Sequence, residues 1–398
     1  MASGRAPLGI IGKCSSTASQ SHKKNGVAEN ATYIHENVLP ELGATGKERD
    51  ERVIRRFSLQ SAARELLPRE LVAKCMRQVV PRDDRLSIDV LYAPAKNAAH
   101  FGGLQICKSV WHCPVCSAKI SERRREELTQ GLGNWAAETA GTRRTLLVTF
   151  TLQHSRDDSL PTVFDALTKA RKLLVSGRGA KAFNERYQIS GMVRSLELTY
   201  GDNGWHPHLH VLMFAEAEIP FLPFEREIKD RWTQCVAAAG SYASWQHGCD
   251  VRFSDADIAA YVAKWGKEPA WTPAHELTKA VSKMGRRNGR TPMQLLADYL
   301  DGDQRAGLLW LQYAIVFKGQ RQLAWSPGMR ERLGLAEEKT DEEIAVEQDE
   351  IAVVLSSLSV GAWRVIIAND ARGELLEVAN SGDPGRVGAF LARLGIGA

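Results

Sequence analysis

The sequence contains no run of 18 consecutive apolar residues, which excludes a membrane-spanning helix. An apolar stretch near the start, residues 8–12, is too short for the core of a secretory signal, so the expectation is a cytoplasmic protein with no membrane partner. No repeat of fixed period is present, and solenoid architectures are excluded with it. Nor does one charge dominate: 52 Lys and Arg stand against 47 Asp and Glu, a formal net charge of +5. The distribution is uneven, however. Residues 337–350 carry eight acids against the single Lys339, a local net charge of −7 that leaves about +12 elsewhere, which suits a polyanionic partner. An even cysteine count is also missing. There are seven, and four of them (Cys75, Cys107, Cys113, Cys116) cluster in a way that favours metal over disulfides.

What is present is the composition of a folded chain. Hydrophobic residues make up 44% and charged residues 25%, which excludes wholesale disorder, and 398 residues suffice for two or three domains. Residues 1–45, rich in Ser, Gly, Ala and Lys, read as a disordered tail. Residues 46–140 read as a helical, Cys-rich segment broken at Pro68. Strands are predicted over 145–152, 191–200, 206–214 and 247–253, and helices over 160–176, 221–239 and 254–266, which makes 141–270 one α+β domain. Residues 271–336 read as a basic helical extension, 337–350 as an acidic linker, and 351–398 as a small appendage for dimerisation or helicase recruitment.

The most informative stretch runs from Glu197 to Phe214. Strand side chains alternate between faces, so His206, His208 and His210 share one face while Leu209, Val211 and Met213 point into the core. Gly201-Asp202-Asn203-Gly204 is a turn signal, and a loop centred on Asp202-Asn203 sets Glu197 directly opposite His208. Two imidazoles and a carboxylate then converge as ligands for Mg²⁺, Mn²⁺ or Zn²⁺, and His206, nearer the turn, suits a further ligand or instead a residue that orients a ligand or touches DNA. A second pattern follows. Asp257, Tyr261 and Lys264 at i, i+4 and i+7 line one helical stripe, beside an apolar stripe of Ile258, Val262 and Trp265 that can dock on the sheet. A phenol is a poor nucleophile until its target is polarised, and this stripe supplies a carboxylate for proton transfer and a cation for developing charge. Taken alone, the stripe also suits an ordinary exposed polar face. Tyr242, Tyr299 and Tyr313 lack such neighbours.

Cys113-Pro-Val-Cys116 has knuckle spacing, Cys107 lies close, and Cys75 is a natural fourth ligand for a structural Zn²⁺, with His100 and His112 as alternatives. Lys279, Lys283, Arg286, Arg287, Arg290, Lys318 and Arg321 suit phosphate contacts or a solvated surface, as do Lys108, Lys119 and residues 123–125. Trp205 suits stacking on an unpaired base or closure of the hairpin.

Three stretches in order resemble the single-tyrosine plasmid rolling-circle replication initiators of the HUH endonuclease superfamily. They are the strand Leu146-Leu-Val-Thr-Phe-Thr-Leu, the motif His206-Pro-His208-Leu-His210, and Tyr261-Val-Ala-Lys264-Trp. The cysteine segment from Cys107 resembles one found upstream in many such initiators, and the likeness covers roughly residues 50–330. It implies an α+β fold with a central antiparallel sheet flanked by helices, an upstream zinc-binding segment and a helical C-terminal half. It implies a nickase domain over 141–270, a DNA-binding extension over 271–336, and Tyr261 as a nucleophile that leaves a 5′-phosphotyrosine and a free 3′-hydroxyl. The expected partners are a plasmid double-strand origin and host helicase and polymerase; a homo-oligomer is a further candidate. Relatives carry Glu where this chain has Asp257, one methylene shorter, which weakens the terminating role more than the nucleophile. Rival readings are a transposase or mobilisation relaxase with the same chemistry, a zinc hydrolase of small molecules, and a noncatalytic zinc-dependent DNA-binding protein.

Overall fold

A long helix, α1 (Gly46–Leu66), leads to Pro68, where the missing amide prevents continuation, and a 3₁₀ turn (Leu71–Ala73) precedes Cys75. The computed structural model describes residues 46–81, 86–137, 143–252, 289–347 and 351–397. The chain divides into two units, Met1–Ala44 and Thr45–Ala398, and every described residue lies in the second.

Two short strands follow α1, β1 (Ser87–Ala93) and β2 (Ala98–Gly102), where only helix was expected. Helix α2 (Pro114–Ala137) starts on Pro114, whose fixed φ suits a first helical position, and holds Cys116 in its first turn. Strand β3 (Arg144–Phe150) leads to α3 (Leu160–Leu174), capped by Ser159 accepting from the Thr162 amide, with Leu160, Val163, Leu167, Ala170 and Leu174 forming its buried stripe. The short helix α4 (Gly177–Arg186) was not foreseen. Then come β4 (Ile189–Gly201), β5 (Gly204–Ala215), α5 (Phe221–Ala238) and β6 (Cys249–Arg252). Beyond residue 288 lie α6 (Pro292–Leu300), α7 (Gln304–Phe317), β7 (Leu323–Trp325), α8 (Met329–Arg332), α9 (Asp341–Val346), β8 (Val353–Ser359), α10 (Val360–Ala368), α11 (Arg372–Ala379) and α12 (Pro384–Arg393).

The central sheet has five strands in the order β6-β3-β5-β4-β7, all antiparallel. The hairpin register agrees with the alternation and the loop parity: Glu197 pairs with His208 and Gly201 with Gly204. Gly204 has φ +83°, and a Cβ there would come within 3.0 Å of Arg156 and the Ser155 carbonyl, so the turn requires glycine. Leu209, Val211 and Met213 join α3, α5 and α7 in the main core. Trp232 of α5 is fully buried against Phe150 and donates to the Thr151 carbonyl at 2.7 Å. The opposite face divides in two. Leu212 and Phe214 lie under Leu128 and Trp135 of α2 with Met329 and Leu333, whereas His206, His208 and His210 stay partly open. Covering one end of the face and sparing the other leaves the three histidines half-buried.

Three expectations change. Residues 323–325, expected to be helical, pair with β4 as an edge strand too short to show a period. The acidic stretch forms α9 where a linker was expected, with a Thr340–Glu343 capping box and with Ile344 and Ala345 buried. It docks because Arg124, 5% exposed, takes Glu127 at 3.1 Å, Asp341 at 3.0 Å and Glu338 at 3.6 Å. The last stretch is no free-standing appendage. Strand β8 pairs with β1 in a second sheet, β2-β1-β8, and Leu355, Trp363, Ile366 and Leu375 share one core with Phe57, Ile88, Val90 and Phe101.

Candidate metal centres and DNA-facing residues

Glu197, His208 and His210 converge. One carboxylate oxygen of Glu197 lies 3.2 Å from His208 Nε2 and 3.3 Å from His210 Nε2. Adjacent ligands around a six-coordinate ion with bonds of about 2.1 Å sit about 3.0 Å apart, so the spacing fits a small divalent cation. His208 Nδ1 faces the His206 carbonyl at 3.3 Å. A carbonyl only accepts, so Nδ1 carries a proton and Nε2 is the nitrogen turned to the carboxylate. His210 Nδ1 is held by the Thr149 hydroxyl at 2.9 Å, from the neighbouring strand. Two ring nitrogens and a carboxylate oxygen this close together call for protons on the nitrogens or a cation among the three. Desolvation raises the Glu197 carboxyl, but hydrogen bonds and charge from His208 and His210 more than reverse it and hold the group well below the usual carboxylate range. Glu197 is 42% exposed, which leaves room for further ligands.

His206 shares the face but not the cluster. It pairs in register with Thr199, one pleat from Glu197, and its Nδ1 meets His154 Nε2 at 2.7 Å, while His154 Nδ1 binds the Asn203 carbonyl at 2.8 Å. The metal-ligand expectation for His206 is therefore corrected: it stands beside the three-donor set, held by His154. Sequence reasoning missed Thr149, Thr151 and His154. Thr149 was legible on the outward face of β3, and Thr151 continues that alternation one residue past the strand; His154, three residues further into the loop, was not.

The four cysteines also converge. Cys75 Sγ lies 3.6 Å from Cys116 and 3.7 Å from Cys113, and Cys107 lies 3.7 Å from Cys116. A tetrahedral site with metal–sulfur bonds of about 2.3 Å has edges of about 3.8 Å, so the four sulfurs fit one Zn²⁺-sized ion. Cys75 accepts from the Cys107 amide and Cys113 from the Cys116 amide, as thiolates do. Burial raises the Cys113 thiol, yet hydrogen bonds from the other three cysteines bring it well below its ordinary value; the bonds that Cys75 and Cys116 make with Cys107 and Cys113 push those two up. A divalent ion held by the four cysteines would favour the thiolate form of each and so remove this competition. His112, an alternative ligand, instead binds the Ala314 carbonyl through Nε2 at 2.8 Å; His100, the other, sits in β2 opposite Leu91.

The DNA-facing expectations fare unevenly. Asp257, Tyr261, Lys264, Lys279, Lys283, Arg286 and Arg287 lie outside the described residues. Trp205 is corrected: it is 3% exposed, packs edge-on to Tyr200 and donates to Gln312 at 3.2 Å, so it closes the hairpin from the core side and presents no platform for a base. The alternation that aligns the histidines puts Trp205 with Leu209 on the buried face. Arg124 is likewise buried within the protein's own ion pairs. Arg290 pairs with Asp298 at 3.0 Å and Lys318 with Glu70 at 2.8 Å, both in partly exposed bridges. Arg321 is exposed.

A family model described as Replication protein matches residues 100–364, more than half of the chain. That range holds Glu197, the three histidines, three of the four clustered cysteines and Tyr261, but not Cys75. Protein rep of Streptomyces lividans is 28% identical over 302 residues, covering 58% of this chain and 64% of that protein. Neomycin resistance protein of Streptomyces cyanogenus is 26% identical over 222 residues, covering 49% of this chain and 50% of that protein. The chain thus spans less than two thirds of the length of either relative. No solved structure matches. The kinship expected from the ordered motifs holds at the level of the family: this chain belongs to the replication protein family.

Proposed function

We propose that this protein is a plasmid rolling-circle replication initiator that nicks one DNA strand at the double-strand origin. The observation that carries the reading is the convergence of Glu197, His208 and His210 on the open half of an antiparallel sheet, in a chain of a replication protein family. A divalent ion held by those three, Mg²⁺ or Mn²⁺, would withdraw charge from the scissile phosphate. Tyr261 provides the nucleophile. Its phenolic oxygen bonds to phosphorus as the bond to the upstream 3′ oxygen breaks; the phenolic proton passes to Asp257 or a water, and the departing 3′ oxygen takes up a proton. The products are a 5′-phosphotyrosine and a free 3′-hydroxyl for host polymerase, with a host helicase opening the duplex. Lys264 offsets charge on the phosphate. Zn²⁺ at the cysteine cluster is structural, because four thiolates leave no open position.

The described chain on either side of the tyrosine segment supports this reading. The segment leaves from β6, which pairs with β3 beside Thr149. It rejoins at Gly289, where a Cβ would lie 3.4 Å from the side chain of Thr199, a residue on the same face as Glu197. Both anchors border the sheet that carries the three donors.

The test is adduct formation on supercoiled plasmid carrying the cognate origin, with Mn²⁺ present and the product identified by mass. Wild type gives a covalent 5′ adduct, Tyr261→Phe gives none, and a chelator abolishes nicking. Attachment retained by Tyr261→Phe would refute the nucleophile. Binding without nicking by the wild type would point to a noncatalytic DNA-binding protein.

A further inference from the structure

Arg372 is a charged side chain with no solvent exposure, at the start of α11 in the C-terminal part of the chain. Its one acidic partner among the described residues is Asp370 at 3.2 Å, half-exposed, and Asp370 also serves Arg77 at 3.4 Å. Two guanidiniums, one wholly buried, thus share a single carboxylate. The remaining contacts of Arg372 are neutral: Gln60 Oε1 at 2.7 Å, the Met76 carbonyl at 3.2 Å, Ser61 Oγ at 3.3 Å and the ring of Phe57. Its Nε, fully buried, has no acceptor. A buried positive charge left short of compensation is costly, so a further negative charge is required nearby.

Gln60 points to where that charge lies. Its amide oxygen accepts from Arg372, and its amide nitrogen donates to Cys113 Sγ at 3.2 Å, both contacts buried. Met76, whose carbonyl also binds Arg372, is the neighbour of Cys75. A divalent ion with four thiolates carries a net charge of −2, whereas four thiols carry none. We infer that Arg372 is the counter-charge of a dianionic tetrathiolate–metal centre, coupled to it through Gln60, and that metal at the four cysteines locks residues 351–397 onto the rest of the fold. The close packing suits a permanent lock: Gly373 lies so near α1 that a Cβ there would reach Ile54 Cα at 2.6 Å. Gln60, Cys75 and Arg372 all fall outside residues 100–364, so the coupling is added by parts of this chain beyond the family match. The inference does not depend on the nicking chemistry.

The experiment uses the full chain loaded with Zn²⁺ or Co²⁺, reading metal affinity by chelator competition, the cobalt–thiolate absorption band, and amide exchange by segment. Arg372→Met is expected to weaken metal binding roughly 10- to 100-fold, as loss of an outer-shell partner does, with Arg372→Lys recovering part of it. Stripping the metal from wild type should speed exchange in residues 351–397 while the β4–β5 hairpin keeps its protection. Gln60→Leu, which retains Arg372, is the second variant should Arg372→Met fail to fold, and it should weaken the metal similarly. Unchanged affinity in the variant that folds, or unchanged exchange in 351–397 after stripping, overturns the inference. So does failure of both Zn²⁺ and Co²⁺ to bind the wild type.

Discussion

At the scale of single residues, the tautomer of a histidine decides what it can hold. His208 spends its Nδ1 proton on a carbonyl, and His210 has its Nδ1 fixed by Thr149, so both turn Nε2 to Glu197. Thr149→Val keeps a β-branched side chain in the strand and removes only the hydroxyl. The expected result is metal binding weaker by roughly 10-fold or more with the melting temperature little changed, measured by Mn²⁺ titration. Affinity equal to wild type would show that His210 is not oriented through Nδ1. His208→Ala removes a donor outright, and nicking and metal binding should fall together. The ligand set was legible because a two-residue loop and a period of two fix which residues face one another. The same rule puts Trp205 on the core face with Leu209, which favours closure of the hairpin over stacking on a base. The partnership of His206 with His154 was not legible, since it depends on where a loop past β3 comes to rest.

Elements follow local signals when those signals are long enough. The stripe of α3, the paired strands β4 and β5 and the buried face of α5 all show their period within the sequence, and they appear where expected. Strand β7, at three residues, has no period to show. The acidic stretch is instructive because its composition argued for a solvated linker while its Thr340–Glu343 box argued for a helix. The box prevailed because Arg124, more than 200 residues away, neutralises the acids from within α2. Arg124 and Glu127 are 5% and 8% exposed, so neither is screened by solvent. Arg124→Met should therefore destabilise the fold by about 3 kcal/mol, the usual effect of stranding a buried carboxylate, as read by urea unfolding. Asp341→Asn should do less, because Asp341 is 24% exposed. A loss below about 1 kcal/mol for Arg124→Met would mean that Arg330, 3.0 Å from Glu127, suffices alone.

For the whole molecule, the limit of sequence reading is sequence distance. Strand β8 pairs with β1 across some 270 residues, and no local pattern announces such a partner. Charge placement has the same character. On the side of the central sheet opposite the histidines, Arg194 of β4 faces Arg171 of α3 and Arg321, two residues before β7, and among the described residues none of the three has a carboxylate or carbonyl partner. Burial, and then repulsion from Arg171 and Arg321, pushes Arg194 down to about 10, so it remains a cation at neutral pH. Arg194 pairs in register with Val211, one residue from His210, and Arg321 lies at the β7 edge of the sheet. A DNA strand held at Glu197, His208 and His210 and continuing around that edge would meet this patch. If the DNA reading holds, each neutralised phosphate releases condensed counterions, and the slope of log affinity against log salt counts them. Replacing Arg194 and Arg321 together with Met should weaken binding of single-stranded origin DNA and reduce that slope by about 0.7 for every phosphate that the variant leaves unneutralised. Nicking of bound DNA at saturation should persist, since Glu197, His208 and His210 lie on the other face. Fluorescence anisotropy across a salt series measures both quantities. An unchanged slope would place the DNA path elsewhere, whereas weaker affinity at constant slope would mean that the arginines support the fold and not the phosphates.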